Sequence, residues 1–189
     1  MLCFQIVNVC LVKCLLFLSS LPLSLSVFIY LKTLLVYYMD LANLHKYRDL
    51  AVQGKWKDIE NMFNRSIQLQ HQGMQIDLSY PHHPVARINE LKDFHTGGIG
   101  TSAANGGTIG SLADLALGLL GLSYFKDGLT ATAQLTIHYL KPVHGKTVSA
   151  VATLQQVVGN RVFGTVNIMN DKEEVCAVAY GALAKGISM

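Results

Sequence analysis

With 189 residues, 51% of them hydrophobic and only 14% charged, the chain can fill one domain plus an appendage. Its apolar content can build a sizeable core, which excludes disorder over most of its length. Lys13 and Lys32, in a leading segment without acids, carry two of the three net positive charges, and the +1 left beyond residue 38 is too little for a general nucleic-acid binder.

Residues 1–38 differ in kind from the rest of the chain. From Cys14 to Leu31 there is no charge, which reaches the lower length limit for a membrane-spanning helix, although Pro22 and several serines weaken that reading. Lys13 and Lys32 flank the stretch on both sides, so positive charge selects no orientation. Met39 then opens an ordinary polar, helical sequence. Three readings stay open: an over-extended start with Met39 as the true beginning, a membrane anchor, or a cleaved signal with small residues near Ser24 to Ser26. The expected division is therefore a leader at 1–38 and a functional domain at 39–189, cytoplasmic by itself, with membrane contact only through a retained leader. Cys3, Cys10 and Cys14 fall in that leader, so Cys176 stands alone in the body, as in an ordinary intracellular core rather than a disulfide scaffold or zinc site.

Beyond Met39, Leu41, Leu44 and Leu50 lie on about one face of a first helix. Ile59, Met62, Phe63 and Ile67 form the stripe of a second, with Gly54 between them. Gly73 ends that stripe. Met74, Ile76, Leu78 and Tyr80 then alternate with polar residues as in a half-buried strand. Pro81 and Pro84 enclose His82 and His83 in a turn; adjacent histidines on extended chain point in opposite directions, and no third ligand stands at a metal-binding spacing, so no metal is expected.

Residues 97–107 read GGIGTSAANGG, and a helix opens at about Thr108. Glycines leading into a helix start leave free backbone N–H groups where an anion or a polarised carbonyl oxygen can sit. Neither GxxxxGK[ST] nor a strand-linked GxGxxG is present, so a nucleotide-phosphate loop is poorly supported. Ile109, Leu112, Leu115, Ala116, Leu119 and Leu120 cover more than one face of this helix, which is expected to be buried. Between Asp93 and Lys126 the one acid or amine is Asp114, within SLADLALGLLGL. An unpaired carboxylate is costly to bury, so it faces water, finds a partner or does chemistry, and its isolation here points to chemistry.

The C-terminal half reads as four strands. In the first, Ala131, Ala133, Leu135, Ile137 and Tyr139 alternate with polar residues until Pro142 and Gly145. Val148, Ala150, Ala152 and Leu154 mark the second, up to Gly159 and Asn160; Val162, Val166 and Ile168 mark the third, and Val175, Ala177, Ala179 and Leu183 the fourth. Short links between long alternating strands imply antiparallel pairing. One strand before a buried helix and four after it make an α+β fold, a curved antiparallel sheet wrapped around a central apolar helix.

From about Phe63 to Leu183 the chain resembles the hotdog-fold acyl-CoA thioesterases of the phenylacetic-acid-degradation type. NGGTIGSLAD is similar to that family's HGG motif followed by LAD; LTATAQLTIHYLKPVHGKTVSAVATL and GNRVFGTVNIMNDKEEVCAVAYGALA resemble its strand, Pro-x-x-Gly turn and closing hairpin. The resemblance implies hydrolysis of an acyl-CoA thioester without a cofactor. Asp114 would be general base or nucleophile, and the backbone of Gly106 or Gly107 would polarise the carbonyl. It also implies a homodimer or homotetramer with sites at the subunit interface, and Arg161, Lys141 and Lys146 as candidate contacts to CoA phosphates. Two positions depart from the pattern. Asn105 replaces the family's histidine, and Ile99 occupies a position that is often Asn or Gln, so a second polar contact falls to Asn105, Thr101 or Ser102. These departures keep a catalytically idle acyl-CoA-binding protein as the main alternative. A hotdog dehydratase is weaker, because His95 lies well before Asp114 and lacks that family's surroundings; His138 and His144 are expected to be structural or exposed.

Overall fold

The computed structural model describes residues 45–97, 102–126 and 130–186. The chain divides into two units, Met1–His45 and Lys46–Met189; the leader, Leu41, Leu44, Ile99 and Thr101 lie outside the described residues.

Residues 45–52 form helix α1, and Gly54, at φ +69°, turns the chain into α2 (Trp56–Asn64). The expected four-residue stripe is interrupted here. The helix stops at Asn64, and Ser66 caps a separate short helix α3 (Ile67–His71) by accepting a hydrogen bond from Leu69 N at 3.3 Å. The break turns Ile67 out to 85% exposure and makes Leu69 the buried residue instead. A serine has two uses on such a segment, helix interior or cap, and the cap wins because its hydroxyl satisfies an otherwise orphaned N–H.

Strand β1 (Met74–Asp77) buries Met74 and Ile76, but it ends before Tyr80, which is 76% exposed. Asp77 turns the chain there by accepting Ser79 N at 2.9 Å. The next element is a strand that the sequence pattern does not reveal, β2 (Val85–Ile88), so two strands rather than one precede the central helix. With four residues, a proline before it and Arg87 within it, β2 has little pattern of its own; pairing with β1 on one side and β4 on the other holds it.

Then come α4 (Gly106–Tyr124), β3 (Thr130–Tyr139), β4 (Val148–Val158), β5 (Arg161–Asn170) and β6 (Val175–Lys185). The strands form one antiparallel sheet ordered β1-β2-β4-β5-β6-β3, with α4 packed on it: the hotdog arrangement. By length and composition α4 could cross a membrane, but it is the core helix of this domain, with Leu112, Ala113, Ala116, Leu117 and Leu120 fully buried. The sheet receives it in a glycine notch. Gly164 and Gly181 pair across β5 and β6, and a Cβ on either would run into the Leu117 side chain.

The expected alternation of β3 holds only in its second half. The register slips between Thr132 and Gln134, so Ala133 is an extra residue. Ile137 and Tyr139 face α4, but on the other side of the bulge Thr130 faces it, rather than the alanines. β3 is also an edge strand with much of its length exposed.

Candidate active site

The loop leading into α4 is built around two side chains. His95 is buried, and both ring nitrogens are engaged: Nδ1 accepts Lys92 N at 2.9 Å, and Nε2 lies 2.7 Å from Gln72 O. Because Nδ1 accepts, the proton sits on Nε2 and is donated to that carbonyl. The His95 carbonyl in turn receives Asn105 N at 2.9 Å and Thr108 Oγ1 at 3.0 Å. Asn105 is the N-cap of α4. Its Oδ1 accepts Thr108 N at 2.8 Å, while Nδ2 donates to Phe94 O at 3.3 Å and Thr96 O at 3.4 Å. The asparagine that replaces the family histidine thus spends both ends of its amide on the loop and helix start.

This geometry leaves the N–H groups of Gly106 and Gly107 without an acceptor among the described residues. They lie at the positive end of a 19-residue helix, where a developing negative charge is stabilised. Two clefts are lined by residues of this helix end. One, of about 520 Å³, is walled by His71, Met74, Phe94 and His95 and floored by Gly107 and Ser111. The other, of about 400 Å³, lies between Gly106, Ile109 and the end of β3 at Tyr139 and Lys141. Tyr139 Oη donates to Gly106 O at 3.4 Å, closing one side of the helix start.

Asp114 is exposed in the protomer and has no hydrogen bond or ion pair among the described residues. It therefore escapes the cost of burial that its apolar sequence neighbours suggested. Its position on the helix is informative nonetheless. Gly107, Ser111, Asp114 and Gly118 follow one another at helical spacing and form the open face of α4. β3 bounds that face on one side, where Ile137 meets Gly110; the larger cleft bounds it on the other.

The remaining sequence candidates are scattered. Ser102 is exposed on the approach to the helix. Lys141 lies at the second cleft, but its Nζ is 3.1 Å from Glu174 Oε2. Hydrogen bonds from Asn170 and then Lys141 hold the Glu174 carboxyl below its ordinary range. Lys146, across the β3–β4 connection, is exposed, with its backbone N donating to Asp171 Oδ2 at 3.0 Å. Arg161 starts β5 opposite Ala184, at the end of the sheet where Thr130 meets the last turns of α4. That is the far end of a helix roughly 28 Å long, so Arg161 and the two lysines cannot share one phosphate group within a protomer. The two prominent histidines of the Pro81–Pro84 turn are exposed, and His82 Nδ1 lies 3.3 Å from Ser123 Oγ near the end of α4. Sequence reasoning missed Ser111 and the walls His71 and Phe94. The recurrence of small or polar residues at 107, 111, 114 and 118 in an otherwise apolar helix is the signal that could have found the open face.

A sequence profile described as the thioesterase superfamily matches residues 102–177, which span the helix start, Asp114 and most of the sheet. No curated protein matches the chain in sequence. Solved structures of similar shape include the PaaI protein of the E. coli phenylacetic acid degradation operon, at 19% identity and a TM-score of 0.59, covering 69% of this chain and 92% of its own. A thioesterase from Haemophilus influenzae is 20% identical with a TM-score of 0.59, covering 66% of this chain and 85% of its own. A Shewanella oneidensis protein related to the thioesterase superfamily is 16% identical with a TM-score of 0.60, covering 69% and 94%. At these identities the likenesses speak to the fold, and the profile match is a similarity confined to residues 102–177. The helix start and open face of the hotdog core fall within the matched residues, so this part of the chain is similar to the thioesterase superfamily.

Proposed function

We propose that the protein hydrolyses acyl-CoA thioesters at the open face of α4. The observation that carries this is the pairing of two features on one helix, the N–H groups of Gly106 and Gly107 and the Asp114 carboxylate about two turns on, none of which has a partner among the described residues. Thioester hydrolysis needs both, a donor where the carbonyl oxygen becomes negative and a base or nucleophile beside the carbonyl carbon. Asp114 takes a proton from water, or attacks directly; the C–S bond then breaks, and the CoA thiol and the free acid leave. Lys141 and Lys146, at the helix N-terminal end, are candidates for CoA phosphate contacts; Arg161 serves only from a second subunit.

The site is completed by a second copy of the chain. Asp114 and Ser111 lie on a face bounded by an edge strand whose last residue, Tyr139, and the Leu140 that follows it are exposed. Continuing the sheet through β3 would cover that edge and enclose the open face. Light scattering at micromolar concentration should give a dimer or tetramer; a fully active monomer refutes this part.

The test of function is thiol release by the purified protein from phenylacetyl-CoA, octanoyl-CoA and palmitoyl-CoA. Turnover of at least one is expected. Binding without release would support the idle-binder reading, which the engagement of Asn105 in the helix cap favours.

A further inference from the structure

Helix α4 carries three aliphatic hydroxyls, and their treatment differs. Thr108 Oγ1 donates to His95 O at 3.0 Å, and Ser123 Oγ donates to Leu120 O at 2.8 Å. A helical serine commonly returns its proton to a carbonyl of the preceding turn in this way. Ser111 does not: its hydroxyl has no hydrogen bond to any described residue, and it is half-buried on the floor of the larger cleft. Side chains on a helix lean toward its N-terminus, so the Ser111 hydroxyl lies over Gly107, which has no side chain to fill the space. Asp114, three residues on, leans back toward Ser111, with the two Cβ atoms about 5–6 Å apart. The hydroxyl is thus between the helix-start N–H groups, which have no acceptor among the described residues, and the carboxylate. The capping role of Asn105 takes that side chain away from the second polar contact of the site, and Ser111 is a ready source for it.

We infer that Ser111 orients the attacking water. This rests on the hydrolase reading above, in its general-base form. With substrate and water bound, one proton of the water goes to Asp114 and the other is held by Ser111 Oγ, while the Ser111 O–H, unpaired among the described residues of the protomer, turns to donate to the second carboxylate oxygen of Asp114 and keeps its own proton throughout. The water oxygen bonds to the carbonyl carbon, the C–S bond breaks, and the proton on Asp114 passes to the departing sulfur.

The test uses the full chain as wild type, Ser111→Ala, Ser111→Thr and Asp114→Asn, with the acyl-CoA that the wild type hydrolyses fastest. Ser111→Ala should lower kcat about tenfold, the loss expected for one hydrogen bond to the reacting atoms, with KM and melting temperature unchanged. Ser111→Thr, which keeps the hydroxyl, should recover most of the rate. Wild-type kcat in Ser111→Ala together with an inactive Asp114→Asn overturns the role of Ser111 and leaves hydrolysis intact. An effect of Ser111→Ala on KM alone, or equal damage from alanine and threonine, makes the residue a wall of the cleft and also overturns the inference. Wild-type turnover in Asp114→Asn removes the base itself, and both readings fall.

Discussion

The two faces of α4 obey different rules. On the buried face, Leu112, Ala113, Ala116, Leu117 and Leu120 are sealed against the sheet, and the hydroxyls of Thr108 and Ser123 are satisfied inside the protein. On the open face, Ser111 and Asp114 are without partners among the described residues, between glycines at 107 and 118. Packing demands and the proposed functional demands are separated by roughly half a turn of one helix. The comparison teaches that in a helix apolar almost throughout, polarity left unsatisfied tells more about function than polarity alone.

The separation can be broken from either side. The largest effect is expected from Leu117→Ala, which empties the glycine notch formed by Gly164 and Gly181. The loss of buried methyl groups and the cavity left behind should cost about 2.7–5 kcal/mol of stability, read by chemical denaturation, while the molecules still folded keep their kcat. A large loss of kcat in fully folded protein would mean that the two faces are not independent. Asp114→Asn should do the reverse, lowering kcat about 100-fold or more with the melting temperature unchanged. Asn105→Ala falls on the boundary between the faces and sharpens the distinction. Removing the cap should cost about 0.5–2 kcal/mol and loosen the donor end of the helix, so both stability and kcat should fall modestly. A change in kcat with stability intact would give the Asn105 amide a direct part in the chemistry.

Which residues carry these effects was unevenly legible in the sequence. Asp114 stood out because no other acid or amine lies between Asp93 and Lys126, and Gly106 and Gly107 stood out because glycine before an apolar helix leaves donors free. Ser111 did not, since a serine in a helix is ordinary until its partners are known. The capping role of Asn105 was hidden for a similar reason: its Nδ2 acceptors at Phe94 and Thr96 are eleven and nine residues away and meet it only after the loop has closed.

Long periodic segments were determined by the sequence alone. The buried helix, the four C-terminal strands and their antiparallel pairing are dictated by alternation and turn residues, because local geometry decides which side chains share a face. Tertiary structure decided what depends on a neighbour. Strand β2 exists because β1 and β4 lie on both sides of it; the bulge at Ala133 reverses which residues of β3 face the helix; and Ser66 ends one helix to start another. It also decided that Arg161 lies a helix length from the two lysines and that Asp114 faces outward. Periodicity assigns a residue to a face, but what covers that face is set by chain segments distant in sequence, through packing and hydrogen bonds that no local pattern encodes.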